Sequence, residues 1–195
     1  MSTETTVLQT ASQTVGPFFA YGLVPEQYGY DFNSLCDGNL IHDDTISGEK
    51  ITIFGRLFDG NGQAIPDALI EIWQADADGN YLSDKTRFHG FGRFGTGTDK
   101  QNRFWFKTIK PGSVGKSAPH INVIVFMRGL LSHLYTRMYF DDELVANDKD
   151  PVLMNVDRQR ISSLVARKVV LPDKSVGFEF NIYMQGERET VFFDV

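Results

Sequence analysis

From residue 51 onward, apolar and polar positions alternate along much of the chain. Ile51, Ile53, Gly55 and Leu57 alternate with Thr52, Phe54, Arg56 and Phe58, the two-residue period of a strand with little polar face. Asp59-Gly60-Asn61-Gly62 follows and reads as a tight turn. Ala68, Ile70 and Ile72 alternate with Leu69, Glu71 and Trp73, and Asp78-Gly79 marks the next reversal, just before Tyr81. Further strands are expected around Phe104 and Phe106, around Ile121, Val123 and Val125, and over residues 135–140. A last strand is expected where Phe178, Phe180 and Ile182 alternate with Glu179, Asn181 and Tyr183. The one helical pattern spans residues 157–168, with Ile161, Leu164 and Val165 on one face. Many short strands separated by Gly and Asp turns predict an all-β fold, specifically a β-sandwich. No internal repeat, low-complexity tract or linker breaks the pattern, so residues 1–195 are expected to form a single domain with a core over 51–195.

The first 50 residues lack this alternation. Gly16-Pro17, Gly22, Pro25 and Gly29 are spread among aromatics, and the segment is too apolar for a free tail. Residues 1–50 are therefore expected to form an arm that packs on its own domain or on a partner chain. Sixteen phenylalanines call for a large core, a large interface or both. A net charge of -6 leaves non-specific nucleic-acid binding without electrostatic support. No apolar run approaches the roughly 20 residues of a spanning helix, and no basic region precedes the first apolar stretch as in a signal peptide. Cys36 is the one cysteine, which excludes an intrachain disulfide. The expectation is a cytoplasmic protein with neither nucleic acid nor membrane as partner.

Three motifs match known chemistry by letter and fail by context. Gly90-Phe91-Gly92-Arg93-Phe94-Gly95 fits G-x-G-x-x-G, but dinucleotide binding needs a helix to follow, and Thr96-Gly97-Thr98 starts one poorly. A Gly-rich surface loop is the expected reading. Asp76-Ala77-Asp78-Gly79-Asn80 is similar to part of a calcium loop, yet the twelfth position would be Lys85, which repels the ion. Asp141-Asp142-Glu143 reads as a solvated turn or a helix N-terminus.

Two features carry more. Arg137 lies in an aromatic-flanked strand, where it suits either a salt bridge or a ligand carboxylate, because its planar fork makes two parallel charge-assisted bonds. In Thr14-Val15-Gly16-Pro17, proline fixes its own φ and restricts Gly16, while Gly16 admits close approach. The segment is a rigid lead-in to the domain or a pocket wall.

The stretch TIKPGSVGKSAPHIN at residues 108–122 resembles the centre of the intradiol ring-cleaving dioxygenases. There a strand runs into Pro-Gly, a short loop carries a tyrosine, and His-x-His follows. Here Val114 stands at the tyrosine position and Asn122 at the second histidine position, so only His120 remains. The family's first ligand tyrosine falls in the loop that here spans residues 82–97 and carries Phe88, Phe91 and Phe94 instead. Ser117 replaces an arginine that precedes the histidine pair. One ligand of four survives, whereas mononuclear sites commonly need three or four, and a lone histidine opening an apolar strand is ordinarily structural. Similarity extends along nearly the whole chain, through Ser12-Gln13-Thr14 with Gly16-Pro17, Glu71-Ile72-Trp73-Gln74-Ala75-Asp76, Ala118-Pro119-His120-Ile121 and Thr190-Val191-Phe192-Phe193-Asp194.

The resemblance implies a β-sandwich of the intradiol dioxygenase type, with a loop-rich N-terminal segment and one short helix. It implies a non-catalytic chain with no metal of its own, in a large hetero-oligomer with a homologous iron-bearing beta chain. That beta chain would hold Fe(III) through two tyrosinates and two histidines. The implied reaction cleaves protocatechuate with O2 between its two hydroxylated carbons, giving 3-carboxy-cis,cis-muconate. The implied pocket lies between the chains, with Thr14, Gly16 and Pro17 lining it and Arg137 near the substrate carboxylate. Two other readings compete: a non-enzymatic β-sandwich module that binds a partner or small ligand, and a self-sufficient catechol-type dioxygenase.

Overall fold

The computed structural model describes residues 11–81 and 88–194. Nine strands dominate them: β1 (Lys50–Phe58), β2 (Leu69–Trp73), β3 (Phe91–Gly95), β4 (Arg103–Ile109), β5 (His120–Phe126), β6 (Leu134–Phe140), β7 (Val165–Val170), β8 (Val176–Glu179) and β9 (Ile182–Tyr183). Two short helices, α1 (Phe19–Leu23) and α2 (Leu144–Asn147), complete the regular structure with a few 3-10 turns. Among the described residues no helix is long and apolar enough to cross a membrane.

The strands form one mixed sheet in the order β3-β2-β5-β6-β7-β8-β1-β4, with β9 alongside β1. Its two end strands, β3 and β4, lie close to each other, so the sheet is nearly closed. Pairing is antiparallel except where β1 meets β8 and β9, and where β6 meets β7 over two residue pairs. The two-residue period decides which side chains point inward. Ile51, Ile53 and Leu57 of β1 join Ile70, Ile72, Phe104, Phe106, Ile121, Val123, Val125, Phe140 and Phe178 in one core. Burying one such side chain contributes about 1.5–3 kcal/mol, so this core is the main stabilising element.

The anticipated turns form as read. Asp59 accepts hydrogen bonds from the N–H groups of Asn61 and Gln63 at 2.9 and 2.8 Å, and Asp76 does the same for Asp78 and Asn80. The acidic run 141–143 leads into α2, but it is not merely solvated. Lys110 reaches Asp142 at 2.8 Å and Glu143 at 2.6 Å, and Lys168 also reaches Asp142 at 2.8 Å.

Three expectations are corrected. Residues 157–168 are not a helix: a 3-10 turn over Ile161–Leu164 leads into β7. Pairing of Val165 and Ala166 with β6, and of residues 167–170 with β8, satisfies the backbone and outweighs the helical spacing, helped by three β-branched valines. The Gly-rich stretch is not a surface loop, since residues 91–95 form β3 against β2. Gly95 is required there, because a Cβ would lie 2.3 Å from the Tyr28 hydroxyl oxygen. The strand expected around residues 178–182 is interrupted between β8 and β9. There Phe180 presses its backbone onto β1, where a Cβ on Gly55 would lie 1.7 Å from the Phe180 carbonyl oxygen.

The described part of the N-terminal arm packs on its own domain. Ala20 and Val24 bury against Leu69, and the Gln27 side-chain amide bonds both the carbonyl (2.6 Å) and the N–H (3.0 Å) of Gly95. Phe18, Tyr30, Phe32 and Leu35 stay exposed.

Candidate functional site

The face of β3-β2-β5-β6 opposite the core carries the candidate site. Strand register places Phe91, Trp73, Asn122 and Arg137 in one row across four strands. The neighbouring row holds Arg93, Glu71, Ile124 and Tyr135, with Arg93 and Glu71 ion-paired at 2.5 Å. On the other side of the first row, His120 sits opposite Tyr139. Trp73 is 52% exposed, although it belongs to a strand whose other members are buried.

His120 opens β5 and is buried. Its Nδ1 lies 2.8 Å from the Ala118 carbonyl, which fixes the ring. Burial pushes its pKa down, and the Arg137 charge acts in the same direction, so the imidazole is neutral at pH 7. Behind it lies Asp150, a fully buried carboxylate. One oxygen accepts the Ala118 N–H at 2.9 Å. The other accepts the N–H groups of Val152 and Leu153 at 2.8 and 2.9 Å and the Tyr139 hydroxyl at 3.1 Å. Burial pushes the Tyr139 phenol up to about 12, with Arg137 opposing, so the phenol keeps its proton.

Arg137 is half-buried on β6, and its Nη1 is buried without a hydrogen-bond partner. An unsatisfied buried N–H costs about 1–3 kcal/mol, more for a charged group. Across the strand pair, Asn122 donates to the Trp73 carbonyl at 3.3 Å and to the Tyr81 hydroxyl at 3.0 Å. The rings of Trp73 and Tyr81 pack at 4.7 Å between centroids. Val114 pairs with Ser117 in a tight loop.

These residues do not fit a ferric ion. Such an ion takes anionic oxygen and imidazole donors. Val114 has no side-chain donor atom and the Asn122 amide nitrogen points to other oxygens, so the Nε2 of His120, whose Nδ1 is held by a carbonyl, would be a single ligand. Among the described residues no three His, Cys, Asp or Glu side chains converge.

Thr14, Gly16 and Pro17 stand apart from Arg137. The Thr14 hydroxyl accepts the Gly129 N–H at 2.8 Å, which ties the arm to the turn between β5 and β6. Gly16 accepts the Phe19 N–H at 3.1 Å and, like Pro17, is exposed. Arg137 pairs with Asn122, four residues along β5 from Phe126, or about 13 Å at the strand rise. The structure thus groups Arg137 with His120, Asn122, Tyr139 and Asp150, and leaves the arm residues at the far end of the sheet. Tyr81, Tyr139 and Asp150 escaped the sequence reading. Continuing the period of β6 from Arg137 would have found Tyr139, whereas Asp150 lies in a loop with no pattern to mark it.

Comparisons with known proteins give the family and the fold. The dioxygenase family model Dioxygenase_C matches residues 25–186. The chain is 49% identical to the protocatechuate 3,4-dioxygenase alpha chain of Burkholderia cepacia, over 98% of this chain and 100% of that one. It is 40% identical to the alpha chain of Pseudomonas putida, over 95% and 96% of the two chains. Identity with the Burkholderia cepacia beta chain is 32%, over 73% of this chain and 67% of that one. Among solved structures, the dioxygenase domain of a carbohydrate-binding fusion from Streptomyces sp. SirexAA-E superposes with a TM-score of 0.62 at 23% identity, covering 84% of this chain and 95% of that one. At that identity the likeness is one of fold.

Proposed function

The chain belongs to the intradiol ring-cleavage dioxygenase family, and we propose that it is the iron-free alpha subunit of an enzyme that opens protocatechuate. The observation that carries this reading is the unpartnered Arg137 Nη1 beside Asn122 on a face that lacks a set of metal ligands among the described residues. Near-full-length identity to two alpha chains supports it.

In this reading Fe(III) belongs to a homologous beta chain in a large cytoplasmic hetero-oligomer. When bound there, the ion supplies chelation of the two vicinal hydroxyls and activation of the ring toward O2, with 3-carboxy-cis,cis-muconate as product. This chain's task is at the opposite end of the ring. Arg137 takes the carboxylate in a forked, charge-assisted contact; Thr14, Gly16 and Pro17, at the far end of the sheet from it, form a separate wall of the interchain pocket, where exposed backbone allows close approach. Holding both ends fixes the ring relative to the metal, which converts binding energy into orientation. The chain serves as one β-sandwich domain, with a core over 51–195. The arm over 1–50 docks on the beta chain through the exposed rings of Phe18, Tyr30 and Phe32.

The test is iron content and ring cleavage for the chain alone and co-expressed with a beta chain. Iron and activity are expected in the co-purified complex only. Stoichiometric iron and activity in the isolated chain would refute the assignment.

A further inference from the structure

We propose that Tyr139 and Asp150 are positioning residues that aim the Arg137 guanidinium at the substrate carboxylate. The proposal rests on the reading of Arg137 given above. Arginine is long and rotamer-rich, so a specific approach angle needs a second contact that restrains the head group. β6 supplies it two residues on, because the strand period puts Tyr139 on the same face as Arg137, about 7 Å away along the backbone.

Asp150 immobilises that phenol. Three backbone N–H groups and the Tyr139 hydroxyl donate to its two oxygens. The Tyr139 hydroxyl spends its proton on Asp150, so its lone pairs are left for a donor, and the guanidinium two residues away on the same face of β6 is placed to supply one. A structural salt bridge would run from Arg137 directly to the carboxylate; among the described residues that ion pair does not form, and Asp150 bonds backbone N–H groups and the phenol instead. Asp150 still acts as counter-charge, since it and Arg137 are the two charged groups that act on both His120 and Tyr139. A guanidinium has five donors. Of these donors Nη1 is buried and unpartnered, and so is the one free for the carboxylate.

Tyr139→Phe tests this, because it keeps the ring that packs 5.8 Å from His120 and removes only the hydroxyl. Binding of protocatechuate and of catechol, which lacks the carboxylate, is measured calorimetrically without O2 on the complex with the iron-bearing chain. Protocatechuate affinity is expected to fall about five- to tenfold, with catechol changed by less than about twofold. In an Arg137→Ala background the same change is expected to add less than about twofold, as for residues that act through one another. Asp150→Asn, which removes the counter-charge, should likewise weaken protocatechuate and spare catechol. Equal losses for both ligands, full additivity with Arg137→Ala, or unchanged protocatechuate affinity in Tyr139→Phe overturns the proposal. If Arg137→Ala itself leaves protocatechuate binding unchanged, the underlying reading of Arg137 falls, and this proposal with it.

Discussion

Replacing Lys110 by methionine should destabilise the fold by about 1.5 kcal/mol at neutral pH. Exposed ion pairs contribute about 0–1 kcal/mol, and breaking fully buried ones costs about 3–5 kcal/mol. Lys110 lies between these limits: its side chain is 13% exposed, and its partners Asp142 and Glu143 are 26% and 29% exposed. Methionine gives up the ammonium over the Phe140 and Phe178 rings, but it keeps an apolar stem of similar length, and Asp142 retains Lys168, so the loss stays below the upper limit. For a chain of 195 residues the unfolding entropy is about 0.4 kcal/mol/K, which turns the loss into about 4 °C in Tm. Scanning calorimetry of parent and variant across pH is the assay.

The pH dependence has a fixed sign. Burial raises the Asp142 pKa, but bonds from Lys110 and Lys168 outweigh it and leave the pKa lowered. An acid depressed in the folded state stabilises above its unfolded value of about 3.9, and this is lost as pH falls through the folded value. For Lys110, burial acts to lower the pKa, yet the two carboxylates leave it raised, so its contribution holds below about 10.4 and fades above. The gap in Tm should therefore be flat from about pH 5 to 9 and close below about pH 4. A gap under about 1 °C at pH 7, or one that persists unchanged in acid, would refute the reasoning.

Four further outcomes are expected. Arg137→Ala should weaken protocatechuate binding about ten- to a hundredfold while sparing catechol, read from anaerobic titration of the complex. Gly55→Val should prevent stable folding, since a Cβ would meet the Phe180 carbonyl; a native-like circular dichroism melt would contradict this. Phe106→Ala should destabilise by about 3–5 kcal/mol in urea unfolding, as for other fully buried aromatics. Expressed alone, the chain should self-associate through its exposed arm rings, and a clean monomer in sedimentation would count against the arm's docking role.

The strands were legible because half-buried β-structure writes its period into the sequence, as β1 shows from Ile51 to Leu57. The segment 157–168 misled because Ile161, Leu164 and Val165 match one helical face equally well as a 3-10 turn running into a strand. What decides is pairing with β6 and β8, which no local window contains. The Gly90–Gly95 stretch misled for a similar reason, since the Tyr28 ring that makes Gly95 necessary comes from a distant segment. At the site, Arg137, His120 and Asn122 were legible through the family resemblance, and register brought them together. Tyr81 and Asp150 reach them from loops far along the chain, and neither loop carries a periodic signal.

The order of the strands also bears on synthesis. β1 pairs with β8 and β9, and the bond from the Arg56 N–H to the Asn181 side chain spans 125 residues. At translation rates of about 5–20 residues per second, β1 leaves the ribosome roughly 6–25 s before its parallel partners exist. β4 can cover one edge early, but the other stays open, apolar and competent to pair with a neighbouring nascent chain. The fold closes only when its C-terminal strands arrive. Slow, non-local assembly and a need for protection by chaperones during translation are therefore built into the topology.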